Sequence, residues 1–169
     1  MTTKAAFTPD EWKSLLQSPL LVGIAVSAAE PSGLIGMLKE SMASARALVQ
    51  AKLDPNADAL VKAVVADYET SEGRTLAQDG VASSLSGDKP ADIVAKALTA
   101  LKSVSALLDS KAPSDSAAFK AWLAGVAKAV AEASAHGGFL GFGGVQVSDA
   151  EKATLAEVAS ALGVPAPSV

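Results

Sequence analysis

Apolar side chains recur every three or four positions along most of this chain, the spacing that gathers them on one face of a helix. From residue 33 to 53 the stripe is Leu34, Ile35, Leu38, Met42, Ala45 and Val49, which predicts one long amphipathic helix. Leu60, Val61, Val64, Val65 and Tyr68 predict another, opened by Asp54-Pro55 and ended by "TSEGR". Ile93, Ala97, Leu101, Val104 and Leu108 trace about five turns, closed by Lys111-Ala112-Pro113. Phe119, Trp122, Leu123, Val126 and Val130 continue the pattern beyond a cap at Ser114 or Asp115. A weaker segment covers 75–85. No stretch alternates as a half-buried strand does, so the pattern predicts an all-α bundle of about seven helices.

Punctuation supports the same elements. Thr8-Pro9-Asp10-Glu11 places a cap, a first-turn proline and two acids where a helix dipole favours them. Ser18-Pro19 repeats the device and predicts a restart or a kink, and Glu30-Pro31-Ser32-Gly33 reads as a turn. Ser148 and Glu151 have capping-box spacing before a last helix that stops at Gly163, with Val164-Pro165 beyond. "VSAAEPSG" and "VAEASAHGG" each close an alanine-rich helix with a glutamate and a glycine turn, downstream of Trp12 and Trp122. That echo raises the expectation of an internal pseudo-two-fold repeat.

A length of 169 residues suits a single helical domain over 1–169. Mean hydropathy is high at +0.32, yet no apolar run approaches the roughly 20 residues of a membrane span, and the amino terminus lacks the apolar core of a secretory signal. A cytoplasmic location is the resulting expectation. The absence of cysteine excludes disulfides and thiolate chemistry, and a single histidine excludes sites needing two imidazoles within one chain. Net charge is −4 and the fourteen basic residues are scattered, so the electrostatic footprint of a nucleic-acid binder is missing. Alanine-rich helices bury little area per residue, which turns attention to self-association or a protein partner. Peripheral lipid contact stays open as a partner class, although the helices lack the strongly basic polar face it usually needs.

The loop "HGGFLGFGG" is where chemistry would be sought. It has neither dinucleotide nor Walker spacing, and Asp149 and Glu151 in the next helix would repel phosphate. Glu132 and His136 share a helix face, and with Asp149 and Glu151 across the loop they form the one candidate metal or small-ligand set. Caps and a helix-end histidine explain the same residues without a metal. Phe139, Leu140 and Phe142 are candidates for docking a partner, although the gain from burying a phenylalanine favours tucking the rings between helices. No nucleophile elbow or paired carboxylates stand out, which points away from an enzyme and implies no cofactor.

The run from Ala129 through His136-Gly137 to "VSDAEKATLAEVASALG" resembles the carboxy-terminal part of the TerB family of tellurite-resistance-associated proteins. The likeness spans about 35 residues: an alanine-rich helix, a turn, then Ser148, Asp149, Glu151, Lys152, Leu155 and the closing Ala161-Leu162-Gly163. It implies a compact helical bundle serving as an interaction or sensing module. The acidic turn residue of the family is His136 here and the loop is longer, which weakens the divalent-ion binding that the family would imply. The sequence thus leads to a non-enzymatic interaction module, with a small-ligand or metal-binding protein as the alternative.

Overall fold

The structure, a computed structural model, describes residues 2–28, 48, 50–85, 89–135 and 147–169. These form a 3-10 turn at Lys4–Ala6 and six α-helices: α1 (Pro9–Ala28), α2 (Ala59–Tyr68), α3 (Ser71–Leu85), α4 (Pro90–Lys111), α5 (Pro113–Ala135) and α6 (Asp149–Leu162). Residues 50–53 are also helical, and no strand occurs among the described residues. The fold is the all-α bundle that periodicity predicts. No described helix is long and apolar enough to cross a membrane.

Helix α1 packs against all five of the others. Its sequence explains this position, because Trp12, Leu15, Leu16, Leu21, Val22 and Val26 do not keep to one narrow stripe and all are buried. Leu60 and Val64 from α2, Leu101 and Leu108 from α4, Phe119 and Leu123 from α5 and Leu155 and Leu162 from α6 complete the core.

Pro19 lies inside α1, which continues through it. The ring leaves the Leu15 carbonyl without its usual amide donor. The Ser18 hydroxyl donates to that carbonyl at 2.7 Å, and the Tyr68 hydroxyl donates to the next one, Leu16. Ser18-Pro19 therefore interrupts the hydrogen-bond ladder without restarting the helix, and the Tyr68 bond fixes the end of α2 against the middle of α1. Burial pushes the Tyr68 phenol well above its ordinary pKa.

The starts and stops differ from expectation in three places. Asp54-Pro55 begins a turn, in which the Asp54 side chain accepts from the Asn56 amide at 2.8 Å, and α2 is capped four residues later by Asp58. "TSEGR" ends α2 as expected, with the Arg74 guanidinium donating to the Tyr68 and Glu69 carbonyls at 3.0 Å, but it also opens α3, since the Thr70 hydroxyl accepts from the Gly73 amide at 2.9 Å. Helix α5 begins at Pro113, leaving Ser114 and Asp115 inside its first turn. The capping box at Ser148 and Glu151 is present, and Gly163 closes α6 at φ 71° in the left-handed region.

Candidate functional site

Three of the four candidate metal ligands are described. Glu132 pairs along α5 with Lys128 at 3.7 Å, and Asp149 pairs along α6 with Lys152 at 3.9 Å. Glu151 is buried at 3 % exposure, where its carboxylate accepts from the Ser148 amide at 2.9 Å. Asp149 is exposed while Glu151 is buried, so neighbouring acids in the sequence have different surroundings. Among the described residues no three His, Cys, Asp or Glu side chains gather around a point that could hold a metal ion. His136, Phe139, Leu140 and Phe142 lie outside the described residues.

The described surface has a different feature, a groove along α1 and α4. Two hollows of about 440 and 420 Å³ share Gln17, Leu21 and Ala100 and so adjoin. One extends past Ser14 and Ser103 to Asp10 and Leu107, and the other past Thr99 to Lys96 and Val81 of α3. The wall on α1 is built from Asp10, Ser14, Gln17 and Leu21, which are spaced by four, three and four and therefore share one face. Thr99, Ser103 and Leu107 form the facing wall on α4. From position 10 to 21 the groove follows about 16 Å of helix at 1.5 Å per residue.

Local packing sets the width of this groove. Glu11 accepts from Lys111 at 2.7 Å, tying the start of α1 to the end of α4. The Lys111 hydrogen bond, followed by that of the Thr8 amide, holds the Glu11 carboxyl below its ordinary pKa. At the centre, a Cβ on Gly80 of α3 would stand only 1.7 Å from the Gln17 amide nitrogen. Glycine at position 80 therefore leaves room for the Gln17 side chain to lie against α3. Small side chains at Ser14, Ala100 and Ser103 leave space in the groove, and Leu21, Val104 and Leu107 make its lining partly apolar.

Sequence reasoning missed this surface. Its one legible signal is the polar stripe Asp10, Ser14 and Gln17, which leads along one face of the helix into Leu21. The facing wall lies some ninety positions further along the chain, and no local pattern joins the two.

An all-α bundle with an open helix-lined groove is the class that fold and surface define. Neither a family model, nor a curated protein, nor a solved structure matches the chain.

Proposed function

We propose that this protein is a non-enzymatic interaction module that receives a helix of a partner protein in the α1–α4 groove. The continuity of the two hollows carries this reading. A groove about 16 Å long, with Leu21, Val104 and Leu107 among its apolar lining and hydroxyl, amide and charged groups along its sides, suits three turns of an amphipathic helix. An interaction or sensing role is also what the resemblance of 129–163 to TerB proteins implies.

Photo-crosslinking in cells tests the proposal. A photoreactive amino acid at Thr99 or Ser103, both exposed, should give a discrete protein adduct, and the same group at exposed Lys152 on α6 should not. Gly80→Ala should diminish the adduct while keeping the helix content, because the added methyl displaces the flexible Gln17 side chain and alanine is the better helix former. Equal labelling from the groove and from α6, or adducts indifferent to Gly80→Ala, would count against the groove.

A further inference from the structure

Most of the hydrogen-bonding groups along the α1–α4 groove are acceptors. The Ser14 hydroxyl donates to the Asp10 carbonyl at 3.0 Å, the Thr99 hydroxyl to the Ala95 carbonyl at 2.9 Å and the Ser103 hydroxyl to the Thr99 carbonyl at 3.3 Å. Each proton is engaged within the helix that carries it, so what these hydroxyls present to an occupant is lone pairs. The Asp10 carboxylate, exposed at the groove, also only accepts. Gln17, which lines both hollows, both accepts and donates. An occupant bearing N–H groups satisfies this lining, and one bearing carboxylates sets lone pair against lone pair.

The charges are unevenly placed. Because Lys111 bonds Glu11, the end of α4 lies against the start of α1, the two walls run antiparallel, and Asp10, Ser14, Ser103 and Leu107 share the end of the groove nearest that pair. Glu11 is balanced there, since its Oε2 accepts from Lys111 and from the Thr8 amide, each at 2.7 Å. Asp10 pairs with no cation among the described residues. Lys96 lines the opposite end together with Leu21 and Val81, and Lys13 lies beside Gln17 near Gly80. The groove thus carries an uncompensated negative charge at its Asp10 end, and the net charge of −4 adds a long-range pull on cations.

We propose that the groove selects a basic amphipathic helix, whose lysine or arginine is held at the Asp10 end by the Asp10 carboxylate and the Ser14 oxygen. This rests on the reading of the groove as a helix-binding site and adds the chemistry of the helix. A lysine or arginine lays its alkyl stem on apolar surface and keeps its charged head in water, which suits a site where Leu107 stands beside an exposed carboxylate. The N–H donors of its head also meet the acceptors at that end, Ser103 included. Apolar residues on the same face of the partner then cover Leu21 and Val104. An acidic helix brings repulsion at Asp10 and no donor for the hydroxyl oxygens.

Two synthetic helical peptides test this on the purified full chain, one of leucine and lysine, the other with glutamate in place of every lysine. A photoreactive amino acid at Thr99, away from the Asp10 end, reports occupancy of the groove at peptide concentrations below saturation, and the same group at Lys152 on α6 is the control. From Thr99 the lysine peptide should be labelled at least about fivefold more than the glutamate peptide at low ionic strength, the Boltzmann factor for one charge pair at contact distance in water. Salt should shrink that excess. Asp10→Asn should lower labelling by the lysine peptide about fivefold with the helix content kept, and Asp10→Glu should restore it. Equal labelling of the two peptides from Thr99 overturns the basic partner and leaves the groove standing as a helix site. Labelling of neither from Thr99 overturns both readings. A lysine preference that is the same from Lys152, or that survives Asp10→Asn undiminished, reports adhesion to an acidic protein at large and overturns selection by the groove.

Discussion

Trp12 and Trp122 occupy corresponding places in the sequence echo, yet the structure uses them differently. Trp12 is 3 % exposed, and its indole N–H donates to Asp67 Oδ2 at 2.6 Å. Phe7 lies 5.9 Å from it and the Lys4 ammonium stands 5.5 Å over its ring. Trp122 is half-buried and meets Phe119 edge-on at 5.2 Å, while its indole nitrogen is buried without a hydrogen-bond partner among the described residues. One indole therefore works through both its ring and its polar handle, and the other through its ring alone. The deciding factor is the neighbour: Trp12 packs where α2 ends in a carboxylate, and among the described residues none offers Trp122 an acceptor.

Substitutions sharpen this contrast. Phe119→Ala, which removes the ring that Trp122 packs on from a fully buried site, should cost roughly 3–5 kcal/mol in urea unfolding. Trp12→Phe keeps most of the apolar area but strips Asp67 of a donor, and should cost about 1–3 kcal/mol. Trp122→Phe should lie within about 0.5 kcal/mol of wild type, because it removes a polar group that has no hydrogen-bond partner among the described residues. If Trp122→Phe proves as costly as Trp12→Phe, the contrast between the two indoles is wrong.

The pH dependence at Asp67 is a finer test. Burial raises its carboxyl, but hydrogen bonds from Lys4 and Trp12 more than reverse that and leave it below the ordinary value. Stability from a lowered pKa is present above the unfolded value and lost as pH falls through the folded one. Thermal unfolding of the wild type should therefore fall more steeply in acid than that of Asp67→Asn. Parallel curves would mean that Lys4 and Trp12 do not favour the ionised carboxyl.

Local signals were legible where chemistry closes within one turn. Thr8 with Glu11 and Ser148 with Glu151 both make the reciprocal bonds that their spacing predicts, and Gly163 takes the left-handed conformation expected after a helix. Legibility failed where the deciding contact was less local. Gly73 reads as a terminator, yet it lies within α3, and a Cβ there would meet the Asp67 carbonyl oxygen at 2.1 Å. Asp54 and Asp58 are equally good caps by composition, and only the turn made by Asp54 hands the helix start to Asp58. Asp115 reads as a cap and instead receives Thr2 from the far end of the chain. For the same reason the α1–α4 groove could not be read in advance, since each wall alone is an ordinary helix face.

The central place of α1 has a consequence for synthesis. Pro90, the first residue of α4, follows Ala28 by 62 positions, and α5 and α6 come later still. At about 5–20 residues per second, α1 leaves the ribosome about 3–12 s before the helix that covers its groove-side face begins to be made. During that interval Trp12, Leu15, Leu16 and Val22 have none of their α4, α5 or α6 partners, so the nascent chain carries an apolar helix that α2 and α3 cover only in part. A chaperone that binds exposed apolar segments should engage this protein early in translation and release it once α4 and α5 have emerged.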